Sequence, residues 1–156
     1  MIKINGQAVD VSHFPDGTLL MKQKYPYTTQ AYITWFFENN EELVALIYLT
    51  NHLRTHGMAK IILYMPYVPN ARQDRVKESQ DVFTLKYFAD IINYLNFDYV
   101  KVLDPHSAVS EALIDNIVVA SPKLCINDSI TKCNPSMLFF PDEGSMKRDA
   151  NMASMP

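Results

Sequence analysis

The chain has 156 residues, 48% of them hydrophobic and 20% charged, with a net charge of −3. That length supports one domain burying roughly 70% of its unfolded surface, and the composition excludes a disordered chain. The net negative charge argues against a broad nucleic-acid surface and confines any anion site to a local cluster of basic groups. No apolar run is long enough to cross a bilayer, and Met1-Ile2-Lys3-Ile4-Asn5-Gly6 lacks the features of a secretory signal, so a cytoplasmic, non-membrane protein is expected.

Ile2-Lys3-Ile4 and the stretch from Gln7 to Val11 flank Asn5-Gly6, the two-residue signal of a tight hairpin, so the chain is expected to open with two paired strands. A polar break follows at Phe14-Pro15-Asp16-Gly17. Leu19 to Gln23 and Ala31 to Glu38 then read as strands, with Trp35-Phe36-Phe37 assigned to the core because no basic residues are interleaved. Asn39-x-x-Glu42 has capping-box spacing, and Leu43, Leu46, Ile47 and Leu53 follow at helical intervals until Gly57 ends the run. His52 and His56 have metal-ligand spacing on that helix but no third ligand near them in sequence, and are read as surface residues.

Lys60 to Val68 reads as a buried strand, Val82 to Leu95 as a helix with Leu85, Phe88, Ala89, Ile92 and Leu95 on one face, and Tyr99 to Leu103 as the next strand. Strand, helix, strand implies a parallel pair. Ile117 to Ala120, a helix near Pro122 to Lys132, and a strand from Met137 to Phe140 continue the alternation. The expected fold is therefore an α/β, mostly parallel sheet flanked by helices. Cys125 and Cys133 are too few and too isolated for a zinc site and are expected to be buried reduced thiols.

Ligands of open parallel sheets bind beyond the carboxyl ends of the strands, and three such ends here carry chemistry. The first is the twelve-residue loop from Pro69 to Gln80, whose Arg72, Arg75 and Lys77 form the basic cluster sought above. Two readings stand side by side: guanidinium forks waiting for phosphate oxygens, in a loop poorly packed until they arrive, or a solvated loop whose Asp74 and Glu78 pair those bases. The second end holds Asp104 and His106, a carboxylate and an imidazole able to face a bound cation, to which Asp142 of the third end adds an oxygen. Beyond Asp142, Gly144-Ser145 ahead of Lys147 and Arg148 offers backbone N–H groups for phosphate or an ordinary strand-to-helix turn. The three ends are expected to converge.

Pro66-Tyr67 followed by Ala71-Arg72-Gln73-Asp74-Arg75 resembles the catalytic-loop signature of ribose-phosphate diphosphokinases (PRPP synthetases). Asp104-Pro105-His106-Ser107, Ile114-Asp115-Asn116 and Pro141-Asp142-Glu143-Gly144-Ser145-Met146-Lys147-Arg148 are similar to three further motifs of that family, in its order, and Phe14-Pro15-Asp16-Gly17 resembles its early loop. The short hairpin start looks like the compact phage-type members. The resemblance implies a type I phosphoribosyltransferase fold over residues 1–148, a divergent tail at 149–156, and a missing C-terminal domain, because the four glycines supply no sugar-phosphate loop. It implies Phe14, Asp16, Arg72, Gln73, Asp74 and Arg75 as nucleotide-binding residues, with Phe14 and Asp16 serving a neighbouring subunit. Arg72, Lys147 and Arg148 would be the catalytic cations, and His106, Asp142 and Asp104 would hold Mg2+. ATP would be a substrate, ribose 5-phosphate the acceptor and a homo-oligomer the assembly. Two alternatives stay open, a diphosphokinase acting on ADP-ribose and a non-catalytic nucleotide-binding partner of a full-length synthetase. Thr18 stands where the family usually has Glu.

Overall fold

A computed structural model describes residues 1–23, 29–133, 137, 139 and 146. Asn5 (φ 47°) and Gly6 (φ 83°) turn the chain between strands β1 (Ile2–Ile4) and β2 (Gln7–Ala8), the two left-handed residues that a tight hairpin needs. The expected second strand stops at Ala8. From Asp10 the backbone joins a separate two-stranded hairpin, β3 (Asp10–His13) with β4 (Leu19–Lys22). β5 (Gln30–Trp35) then pairs antiparallel with β1 and parallel with β6 (Lys60–Tyr64). β7 (Tyr99–Leu103) and β8 (Ile117–Ala120) extend the parallel part, giving the order β2-β1-β5-β6-β7-β8. The α/β, mostly parallel architecture expected from the alternation is the one found.

Helix α1 (Glu41–Thr55) links β5 to β6, α2 (Thr84–Tyr94) links β6 to β7, and the short α3 (Ala108–Leu113) links β7 to β8. Half of the expected capping box forms. The Asn39 side chain accepts from the Glu42 N–H at 3.2 Å, whereas the Glu42 carboxylate turns to the Glu38 N–H (2.8 Å), the Trp35 indole N–H (3.0 Å) and the Met1 amine. Burial works to raise the pKa of Glu42, but these donors outweigh it and the net shift is downward. At the other end of α1, Gly57 takes φ +79°, a left-handed stop that costs a residue without Cβ little.

The core lies between the helices and one face of the sheet, where Ile33, Trp35, Leu63 and Val102 meet Leu46, Leu53, Leu85 and Ile92, all fully buried or nearly so. The α2 stripe Leu85, Phe88, Ala89, Ile92 and Leu95 is buried as its spacing requires. The aromatic run divides by strand alternation, with Trp35 buried, Phe37 half-buried against it and Phe36 exposed, so Phe36 is not core. β6 ends at Tyr64, earlier than its apolar run, because Pro66 has no N–H for the ladder; Met65 and Val68 remain buried as loop.

The chain divides into two compact units, Met1–Ala120 and Ser121–Pro156. The second contains α4 (Lys123–Cys133), near the helix expected there. Its two cysteines are free, as expected, but exposed rather than buried. Ile126 and Ile130 make the half-buried stripe of α4, and Cys125, Ser129 and Cys133 form the adjacent exposed row at the same four-residue interval. The strand expected from Met137 to Phe140 falls largely outside the described residues. No helix among the described residues is long and apolar enough to cross a membrane.

Candidate nucleotide-binding cleft

The ends of β6 and β7 build the site together. Past Tyr64 the two chains stay joined by Met65 N–H to the Lys101 carbonyl (2.8 Å) and Leu103 N–H to the Pro66 carbonyl (3.2 Å), so both loops leave the sheet side by side. The first is anchored rather than loose: Val68, Pro69, Ala71 and Asp74 are buried, and Asn70 (φ 63°) closes a turn onto the Gln73 N–H. Its expected poor packing is therefore wrong for residues 69–74, because Pro69, Ala71 and one carboxylate tuck beneath the basic ones.

Asp74, only 7% exposed, accepts from Arg75 Nε at 2.8 Å and from a terminal Arg75 nitrogen at 3.3 Å. The Arg75 guanidinium holds the Asp74 carboxyl below the usual carboxylate range, burial opposes this, and the neighbouring Ser107 hydroxyl reinforces it. Arg75 consequently follows the paired-base reading. Arg72 does not, being exposed and without an ion pair among the described residues.

Two residues absent from the sequence-derived set hold the loop. Asp81 accepts the Lys77 N–H (2.8 Å) and Glu78 N–H (3.0 Å) on one oxygen, which lowers its pKa. Thr84, the first residue of α2, donates its hydroxyl to Gln73 Oε1 at 2.9 Å, while the Gln73 carbonyl accepts the Leu85 N–H at 3.3 Å. No side chain caps α2, so the loop backbone satisfies one of its free N–H groups. An Asp just before a periodic helix and a Thr at its first position were the available signals.

Arg72, Gln73, Asp74, Arg75, Lys77, Asp81 and His106 line one open cleft of about 450 Å³. Its wall from β7 is exposed His106, two residues beyond Asp104, whose φ of +41° turns the chain out of the strand. The first two strand ends thus converge as expected. Asp142, Lys147 and Arg148 lie outside the described residues. Among the described residues no three His, Cys, Asp or Glu side chains cluster as a metal cage. A Mg2+ ion bound with phosphates needs only one or two protein ligands, so His106 and Asp104 remain compatible with it.

Phe14 and Asp16 sit elsewhere, at the tip of the β3–β4 hairpin, and neither lines the cleft. Phe14 is 48% exposed. Asp16 Oδ1 accepts from the Thr18 N–H (2.9 Å) and the Thr18 hydroxyl (2.7 Å), the hydroxyl being the larger cause of its lowered pKa. His52 and His56 are exposed, as expected of surface residues.

The family model for the N-terminal domain of ribose phosphate pyrophosphokinase matches residues 2–95. The chain belongs to that family. Among curated pyrophosphokinases, ribose-phosphate pyrophosphokinase of Bradyrhizobium diazoefficiens is 30% identical over 122 residues, covering 75% of this chain and 38% of its own length. Ribose-phosphate pyrophosphokinase 2 of Saccharomyces cerevisiae is 28% identical over 120 residues, covering 74% of this chain and 38% of its own. The chain thus spans well under half the length of these relatives. The crystal structure of phosphoribosylpyrophosphate synthetase from Mycobacterium smegmatis matches 96% of this chain and 54% of its own, with a TM-score of 0.76 at 16% identity, which establishes the shared fold. The pyrophosphokinase resemblance read from the motifs is therefore correct.

Proposed function

We propose that this chain is the ATP-side half of a ribose-phosphate diphosphokinase, transferring a diphosphate from ATP to C1 of ribose 5-phosphate. The observation that carries the reading is the meeting of Arg72 and Gln73, both within the matched residues 2–95, with His106 in one cleft at adjacent strand ends. Arg72 presents its donor fork to phosphate oxygens, and Gln73, held by Thr84, supplies a fixed polar group beside it. In the reaction the sugar C1 hydroxyl oxygen bonds to the β-phosphorus as the bond to the α,β-bridging oxygen breaks. AMP leaves and the hydroxyl proton passes to solvent. Mg2+ bound with the nucleotide would neutralise phosphate charge, with His106, Asp104 and Asp142 as the residues to hold it. Lys147 and Arg148 are the proposed further cations, and Phe14 and Asp16 the adenine contacts lent to a neighbouring subunit of a cytoplasmic homo-oligomer. Residues 1–148 are the proposed domain, with the rest of the synthetase outside it.

Alone, the chain is expected to bind Mg-ATP weakly and to form no PRPP. The sugar must be held in line with the β-phosphorus, an orientation worth on the order of 7 to 11 kcal/mol. The test is a coupled assay for AMP and PRPP on the purified chain, with equilibrium dialysis of Mg-ATP and Arg72→Ala as control. Arg72-dependent PRPP formation would show a sugar site within this chain and refute the half-enzyme reading. The second reading, a non-catalytic nucleotide-binding partner, is favoured by one observation: Thr18 occupies Asp16 Oδ1, an oxygen otherwise open to a base amino group. Absence of any ATP binding would favour a purely assembling role.

A further inference from the structure

The loop between β6 and α2 has two halves of opposite character, both inside the unit Met1–Ala120. Pro69, Ala71 and Asp74 anchor the first by burial, whereas every residue from Arg75 to Gln80 is exposed. Packing therefore does not decide where the second half lies. Among the described residues, the hydrogen bonds that reach 76–80 all end on Asp81. Its carboxylate accepts the Lys77 N–H (2.8 Å) and the Glu78 N–H (3.0 Å) on one oxygen, and its own N–H donates to the Glu78 carbonyl at 3.0 Å. Asp81 stands three residues before Thr84, which opens α2 and holds Gln73. The approach to α2 thus fastens the loop at two points, one on each side of the Asp74–Arg75 pair.

Lys77 is the side chain that the outer fastening brings to the cleft, which it lines with Arg72 and His106. Arg75 is committed to Asp74. That leaves Arg72 and Lys77 as the cations of this wall with no ion pair among the described residues. Lys77 lies two residues past the end of the Ala71–Arg75 signature, so that motif does not account for it. A lysine carries a compact charge on a flexible four-carbon stem, and its use to a phosphate depends on where its backbone is held. Holding it in advance removes part of the ordering cost that binding otherwise meets.

We propose that Lys77 is a second phosphate-contacting cation of the cleft and that Asp81 is its positioning residue, acting by pinning the Lys77 backbone. The ligand is a polyphosphate chain such as that of a nucleoside triphosphate. This role rests on the diphosphokinase reading, because the nucleotide of that reading supplies the phosphates.

The test is isothermal titration of Mg-ATP into the full chain and its variants, with tripolyphosphate as a second probe and urea midpoints alongside. Lys77→Ala should weaken Mg-ATP binding about fivefold to tenfold, as expected of one solvent-exposed charge-assisted contact. Asp81→Ala should weaken it at least about threefold while the midpoint stays close to wild type, since the half-loop it pins buries nothing. Asp81→Asn keeps an oxygen to accept both N–H groups and should bind within about threefold of wild type. In a Lys77→Ala background, Asp81→Ala should cost nothing further, because its effect passes through Lys77. Additive losses in that double-mutant cycle would make Asp81 merely structural, and tighter binding in Asp81→Ala would make its carboxylate a rival of the phosphate; either result overturns the proposal. A loss in Arg72→Ala with none in Lys77→Ala would refute the role of Lys77 and leave the nucleotide reading standing. Arg72→Ala without effect would count against that reading instead, and no binding of either probe by the wild type would overturn both.

Discussion

Arg72 and Arg75 are three residues apart on the same loop, yet the structure predicts opposite consequences for their removal. Arg75 already spends two donors on buried Asp74, at 2.8 and 3.3 Å, so turning to a phosphate would mean breaking that fork and leaving the carboxylate unpaired. Arg72 has no such partner among the described residues, and it lines the cleft. A charge-assisted hydrogen bond to phosphate contributes about 1.5 to 3 kcal/mol, so Arg72→Ala should weaken Mg-ATP binding by about tenfold to a hundredfold. It should leave the urea midpoint nearly unchanged. Arg75→Ala should do the reverse, changing the Mg-ATP dissociation constant by less than about threefold while lowering the urea midpoint, because Asp74 loses its counterion inside the loop. The assay is isothermal titration of Mg-ATP into each variant, alongside urea denaturation at neutral pH. If Arg75→Ala costs as much affinity as Arg72→Ala while its midpoint stays at the wild-type value, the Asp74–Arg75 fork does not hold the loop and the reasoning fails.

Asp98 ties the end of α1 to the start of β6, accepting the Ile61 N–H at 2.7 Å and Arg54 at 3.4 Å, so Asp98→Ala should destabilise by about 1 kcal/mol in urea, discounted for its partial exposure. The Ile61 N–H first and Arg54 after it depress the Asp98 pKa, so this contribution is present above the unfolded carboxylate value and lost as pH falls through the folded one. The gap between wild type and Asp98→Ala should therefore be full at pH 7 and narrow progressively below about pH 4; a gap that widens in acid would contradict it. Gly57→Ala should cost about 1 kcal/mol by thermal melting, entirely through the strained φ of +79°, since a Cβ there meets no atom within 4 Å. Thr84→Val, which removes the hydroxyl holding Gln73, should weaken Mg-ATP binding with little loss of stability, and an unchanged dissociation constant would remove Gln73 from the site.

Local pattern alone determined much of this protein. The bounds of β7 and β8 follow from their apolar runs, α1 stops at the glycine that ends its periodicity, and every apolar residue of the α2 stripe is buried. These features were legible because each depends on neighbours within a turn or a strand. The family motifs were legible for a related reason: Ala71 to Arg75 and Asp104 to Ser107 are contiguous, so their chemistry is written in sequence order. What only the tertiary structure decided is how groups distant in sequence share one another. The charge pattern of the long loop left Arg72 and Arg75 equivalent, and the burial of Asp74 beside Ser107 of the next strand end separated them. Pro66 gives way to a loop that still pairs with β7, the cysteines of α4 fall in the row beside its apolar stripe, and Phe36 turns outward by strand alternation. Each depends on what packs against a residue from elsewhere in the chain, and periodicity along one segment carries no record of that.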